Sequence, residues 1–290
     1  MKKRLIGILT IISMLFCMIP TTAFADSGTI DVSNETELSA ALNKFSVINR
    51  AVSIRLTSDI KVKNTINISG NGRYYYYVDL NGYTIEKSDT TQLFSVGTVN
   101  SEQPSTLRIV NNSTKKTGRI IKASHVKSGR FLYISKCGHT IIGGGLGEIE
   151  IADFNGYTIL LNYGSEGLNN DLTPSLDIKS GVTIKNCSGK IYSGAAIHAE
   201  KYSTVNLYGG SKITDCNSDG YGGAVGVEDN AVLNMYDGFT VENCVSNRIH
   251  DTKKSEGGGV YVASGGTFNM YGGTITGCSA QGQNGRGGRS

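Results

Sequence analysis

Between residues 194 and 278 the chain repeats itself three times, and no other feature limits its folding options so sharply. The segments start at Gly194, Gly222 and Gly257 and align without gaps through Tyr208, Tyr236 and Tyr271 before closing on Cys216, Cys244 and Cys278. Ile197, Val225 and Val260 correspond, as do Asn206, Asn234 and Asn269. These asparagines are 28 and 35 residues apart, and the extra seven residues fall in the polar stretch Ser246 to Glu256. An insertion confined to one loop is what stacked repeats tolerate. Within each unit apolar and polar residues alternate over three short runs, such as Val260 to Val262, Phe268 to Met270 and Ile275 to Thr276. Period-two alternation predicts strands, and the intervening Gly, Asn, Asp and Ser predict turns. A unit of about 28 residues holding three short strands cannot enclose a core alone. It can if the chain coils, so that each strand pairs in parallel with its equivalent one turn later, about 4.8 Å away. Val205, Leu233 and Phe268 then form an inward column. Neither an LxxLxL signature nor a long 3.6-residue period is present, which excludes leucine-rich and helical solenoids, and a propeller blade would need a fourth strand.

Less regular rungs precede the repeat. Leu176 to Cys187 matches its second and third strands, with Asp177 in the Asn column and Cys187 in the Cys column. Short strands are also expected at Tyr76 to Leu80, Tyr83 to Glu86, Ser105 to Val110, Arg119 to Ala123, Arg130 to Ser135, His139 to Gly144, Glu148 to Ile151 and Thr158 to Asn162. Together with Val52 to Gly70 and the GGGVYV…GGTFNMYGGTITGC unit, these residues resemble the right-handed parallel β-helix superfamily, the pectin-lyase-like fold, in the form found in secreted and surface proteins of Gram-positive bacteria. The expected fold is therefore all-β: a parallel β-helix solenoid of about seven rungs of three short strands, its handedness implied by the resemblance. Residues 33 to 45 differ in kind. Leu38, Ala41, Leu42 and Phe45 follow helical spacing and Asn34 with Glu37 makes a capping box, which predicts an α-helix laid over the N-terminal end of the coil.

Residues 1–25 read as a secretory signal peptide, with Lys2, Lys3 and Arg4 followed by an apolar run and an Ala23-Phe24-Ala25 cleavage site. The resulting organisation is a signal peptide over 1–25, an N-terminal segment with the capping helix over 26–50, the β-helix over 51–281, and the truncated start of a further rung or a disordered tail over 282–290. A secreted, possible cell-surface location follows. The formal charge of +4 owes three of its 28 basic residues to the signal and none of its 24 acidic ones, so the mature chain carries about +1. That near-neutrality argues against nucleic acid as a partner. No second apolar span follows the signal, so no membrane span is expected in the mature chain. An uncapped C-terminal rung would favour end-to-end association.

Five cysteines remain after the signal. Cys187, Cys216, Cys244 and Cys278 take one repeat position each, which stacks parallel Cβ vectors about 4.8 Å apart, beyond the usual Cβ separation of a disulfide. A buried thiol ladder is expected, and no metal site, because a column along an axis does not converge on one ion. Cys137 lies outside the column.

Outward columns are where binding or chemistry would lie. Asn206, Asn234 and Asn269 beside Tyr208, Tyr236 and Tyr271 form two stripes that could bind sugar rings or simply fix register. Tyr74 to Tyr77 form a second aromatic cluster. The best catalytic constellation is Glu200 and Glu228, at one outward position on adjacent rungs and within the spacing of a glycosidase pair, with His198 on the same face. Ala263 replaces the acid on the third rung. The glycine run Gly143 to Gly147 resembles a phosphate cradle but no helix follows it, which favours a tight turn of the coil. Two functions follow. The first is an adhesin-like or carbohydrate-binding module with polysaccharide or a host or cell-surface protein as partner and no cofactor. The second, which the resemblance implies, is a polysaccharide lyase or glycoside hydrolase, for which Ca²⁺ would be the cofactor.

Overall fold

A computed structural model describes residues 28–43, 51–68, 74–97, 104–164, 172–189, 193–247 and 255–281. The expected signal peptide over 1–25 and residues 165–171 and 282–290 lie outside them. The chain winds into a parallel β-solenoid with one short helix near its N-terminus. Three long sheets run its length. The first has nine strands, from Ile30–Val32 to Thr267–Met270; the second has eight, from Ile60–Val62 to Thr274–Thr276; the third has seven, from Ile66–Ile68 to Val260–Val262. The coil makes about six turns, slightly fewer than the seven or so rungs expected.

Each strand pairs in parallel with its equivalent one coil later, in the register that the repeat implies. Val205 pairs with Leu233 and Leu233 with Phe268, Ile213 with Val241 and Val241 with Ile275, Ile197 with Val225 and Val225 with Val260. Their inward side chains are buried until the last described rung, where Val260, Phe268 and Ile275 are only partly covered. Parallel strands need a connection on every turn, and among the described residues many of these are a few residues of tight turn.

Those turns explain the sequence between strands. Asn186, Asp215, Asn243 and Gly277, each just before a column cysteine, have φ of 53°, 54°, 55° and 62°. Asn, Asp and Gly are the residues that enter this left-handed region at low cost. Its effect is to swing the following cysteine inward and to start a fourth sheet, four two-residue strands from Ser188–Gly189 to Ser279–Ala280. That sheet is not legible in so short a run of polar residues. Gly223 packs so close to the next rung that a Cβ there would lie 2.3 Å from the Gly258 carbonyl oxygen.

The N-terminal end is closed by the helix Glu35–Leu42, which buries Leu38, Ala41 and Leu42. The Glu37 amide donates to Asn34 Oδ1 at 3.0 Å, as a capping box requires, but the Glu37 carboxylate accepts from the Ser33 amide at 2.7 Å rather than from Asn34. Phe45 lies outside the described residues. The strand Ile30–Val32, unexpected from sequence, precedes the helix and pairs with Ala51–Leu56. The Glu35 carboxylate accepts from the Asn64 amide at 2.7 Å and the Lys63 amide at 3.1 Å, tying the cap to the coil.

Leu38→Ala is expected to destabilise the fold by about 2–5 kcal/mol through the cavity it leaves under the cap, read as a lowered urea midpoint. Burial opposes the charged form of Glu35, but the hydrogen bonds from Asn64 and Lys63 outweigh it and hold the group below its ordinary value of 4.5. A depressed carboxylate stabilises the fold above its ordinary value and loses that contribution as pH falls through the depressed one. Glu35→Gln should therefore flatten the fall of melting temperature on acidification below pH 4.5.

Candidate functional site

The outer face of the first sheet carries two continuous ladders. In one, Asn206 Nδ2 donates to Asp177 Oδ1 at 2.8 Å, Asn234 to Asn206 at 2.8 Å and Asn269 to Asn234 at 2.9 Å. Because the Asp177 carboxylate only accepts, it fixes the direction of every amide above it. In the other, Tyr208 and Tyr236 stack at 4.8 Å between centroids with 8° between planes, and Tyr236 and Tyr271 at 5.3 Å and 16°. Lys179 caps the lower end, its Nζ 3.4 Å from the Tyr208 ring centre and 3.2 Å from Asp177 Oδ2. The stacked rings cover one another's faces and leave edges and hydroxyls outward. Tyr271, on the last described rung, is 66% exposed. Burial, then the neighbouring Tyr208 and Tyr271, raise the Tyr236 phenol above its ordinary value. Toward the N-terminus the Asn column continues through Ile141 and Arg108 to Tyr77. Tyr75 is exposed beside it while Tyr76 is buried, the alternation a strand imposes.

The third sheet positions His198, Glu200 and Glu228. His198 pairs with Leu160 and Gly226, on the outward face as expected, yet it is only 4% exposed. The Tyr157 ring stacks over it at 4.7 Å, and its Nδ1 donates to the Ser193 carbonyl oxygen at 2.5 Å. Glu200 and Glu228 occupy equivalent positions, but each carboxylate is held by a different neighbour. Glu200 accepts from Asn162 and faces His198 Nε2 at 3.6 Å, whereas Glu228 accepts from Ser193 Oγ at 2.6 Å. Carboxylate, imidazole and hydroxyl thus stand in a row, but Nδ1 is committed to a carbonyl and Ser193 is 1% exposed. The row ties the segment before Gly194 onto the next coil. Gly226 makes room for it, since a Cβ there would meet Ser193 Oγ at 2.1 Å. Arg130 lies beside this cluster, its guanidinium carbon 5.7 Å from the ring centres of both Tyr133 and Tyr157.

On the second sheet charges pair across rungs: Arg119 and Lys185 with Glu150, each at 2.8 Å, and Lys212 with Glu242 at 2.9 Å. In the glycine run, the amides of Gly143, Gly144 and Gly147 donate to Ile109, Ser180 and Asn111 carbonyls of neighbouring coils, as a tight turn would. Cys187, Cys216, Cys244 and Cys278 are buried thiols, each with its Sγ 3.2–3.4 Å from the carbonyl oxygen two residues before it. Cys137 is also a buried thiol. Among the described residues no group of three or more His, Cys, Asp or Glu could hold a metal ion, and no helix is long and apolar enough to cross a membrane.

Sequence reasoning singled out the stripe residues and the His198 group, and the structure keeps them on two separate faces. It missed Arg108, Lys179, Tyr157 and Ser193, whose columns are set by rungs of irregular length. The four column thiols should be silent to an aromatic disulfide reagent in the native protein and react only on denaturation; fast native reaction of any of them would contradict the ladder. No protein-family model, curated protein or solved structure matches the chain.

Proposed function

We propose that the protein is an exported, surface-associated module that binds carbohydrate along the outer face of its first sheet, in an adhesin-like role and without turnover. The observation that carries this reading is the pair of ladders from Asp177 to Asn269 and from Lys179 to Tyr271, which present amide and phenol groups once per rung on a rigid scaffold. The rung rise of about 4.8 Å is close to the length of one pyranose in an extended glycan, so successive sugars would meet equivalent groups. A preformed surface also spares the ordering cost that weakens flexible binding sites. Export rests on the signal-like residues 1–25, and membership of the right-handed pectin-lyase-like family, in its Gram-positive surface form, rests on the resemblance of the repeats. The lyase or hydrolase alternative would place its chemistry at His198, Glu200 and Glu228, with Ca²⁺ beside them. Those side chains are instead spent on Ser193, Asn162 and each other.

A panel of immobilised neutral and acidic glycans, screened with the signal-less chain, tests the proposal. At least one glycan should bind. Tyr271→Ala, which removes an exposed ring, and Tyr236→Phe, which keeps the stack but removes a hydroxyl, should weaken binding by about tenfold or about 1.4 kcal/mol for the former, and less for the latter. Melting temperatures should hardly change. Absence of any glycan binding, or full binding by Tyr271→Ala, would overturn the reading. Release of product that Glu228→Gln abolishes would replace it with the enzymatic one.

A further inference from the structure

We propose that the Arg108 guanidinium, beside Gly144 and the Lys179 stem, binds an oxyanion, the sulfate or carboxylate substituent of an acidic glycan, at the foot of the Asn and Tyr ladders. The proposal rests on the carbohydrate reading above and deepens it by naming the class of glycan.

Among the described residues, the other arginines on first- and second-sheet strands pair with acids one coil away. Arg55 makes two hydrogen bonds to Asp31, both at 2.9 Å, and Arg119 makes two to Glu150 at 2.8 and 3.0 Å. Arg108 departs from this pattern. Its described contact is cation–π, the guanidinium carbon 5.9 Å from the Tyr77 ring centre, and its Nε is buried with no acceptor. The neighbour above it in the column is Ile141, which separates it from Asp177. A guanidinium offers five N–H donors in a rigid fork that matches a carboxylate, sulfate or phosphate.

Gly144 opens the approach. It is exposed, and a Cβ there would sit 3.4 Å from Lys179 Cβ and 3.7 Å from Arg108 Nη2, so any side chain would crowd the Arg108 fork. The acids nearby are already occupied. Asp177 holds Lys179 and Asn206, and Asp79 accepts from the amides of Asn81 and Asn112 and from Asn112 Nδ2 at 2.9–3.0 Å. His139, buried against Ser175, faces Asp177 and Lys179 and is held neutral-leaning by burial. Among the described residues Arg108 is thus left without a carboxylate partner, whereas Lys179 is paired with Asp177. Since Arg108 and Asn206 share one column, an oxyanion on Arg108 would belong to a polymer that continues along the Asn ladder.

Titration calorimetry of the signal-less chain decides the matter, using a cello-oligosaccharide, its sulfated and carboxymethylated derivatives, and free sodium sulfate and sodium acetate. The derivatised oligosaccharides should bind at least tenfold more tightly than the neutral parent at low salt, with an advantage that shrinks as sodium chloride rises. Arg108→Gln should erase the advantage, and Arg108→Lys should restore it only in part because it lacks the fork. Gly144→Asn, whose side chain tolerates the left-handed backbone at φ 69°, should reduce it with unchanged circular dichroism. Equal affinity for neutral and derivatised oligosaccharides, or an advantage that survives Arg108→Gln in the folded variant, would overturn the proposal and leave the carbohydrate reading standing. Binding of free sulfate or acetate without binding of any oligosaccharide would overturn both.

Discussion

Every other property of this protein depends on the backbone hydrogen bonds that run from one coil to the next. A strand of three to six residues is too short to be stable alone, and each described one gains its place only by lying on its equivalent from the preceding turn. The coil therefore needs an end that does not present bare strand edges and open core. At the N-terminus the helix Glu35–Leu42 supplies this by burying Leu38, Ala41 and Leu42, and Glu35 fastens it to the turn at Lys63 and Asn64.

Parallel pairing in constant register brings like residues into contact, and the chain has side chains that tolerate their own kind. Asparagine is both donor and acceptor, so a column of it bonds to itself and needs only one acceptor, Asp177, at its base. Tyrosine stacks on tyrosine in the offset manner aromatic rings prefer. Cysteine packs as a small apolar group whose thiol reaches a carbonyl of its own turn. Lysines and arginines on the outer faces pair with acids across coils, as Arg119 and Lys185 do with Glu150, or rest on an aromatic ring, as Lys179 and Arg108 do. Lys87 and Lys122 are register partners on adjacent coils, and both are buried and donate to backbone carbonyls. The outer faces thus carry self-bonding ladders beside cations that are ion-paired or set on aromatic rings.

Much of this was legible in the residues. The alternation and the matched glycines gave the strands, their inward columns and the four stacked thiols. Asn34 and Leu38 marked the cap. The Asn and Tyr stripes followed from a repeat without gaps. The fourth sheet and the strand Ile30–Val32 did not, because two or three residues carry no measurable period and their partner strands supply most of the hydrogen bonds that define them.

The sequence by itself determined the direction each repeat residue points, since a period of two and a fixed spacing settle inward from outward. Only the tertiary structure decided which outward residues reach solvent. His198 points outward yet is closed in by Tyr157 and Ser193, and Arg108 stands in line with Asn206 although rungs of unequal length separate them. The physical reason is that pattern along a chain encodes facing, a local property of the strand. Cover and alignment depend on how turns of different length fold back over the next coil, and that is settled by packing and by hydrogen bonds between residues far apart in sequence.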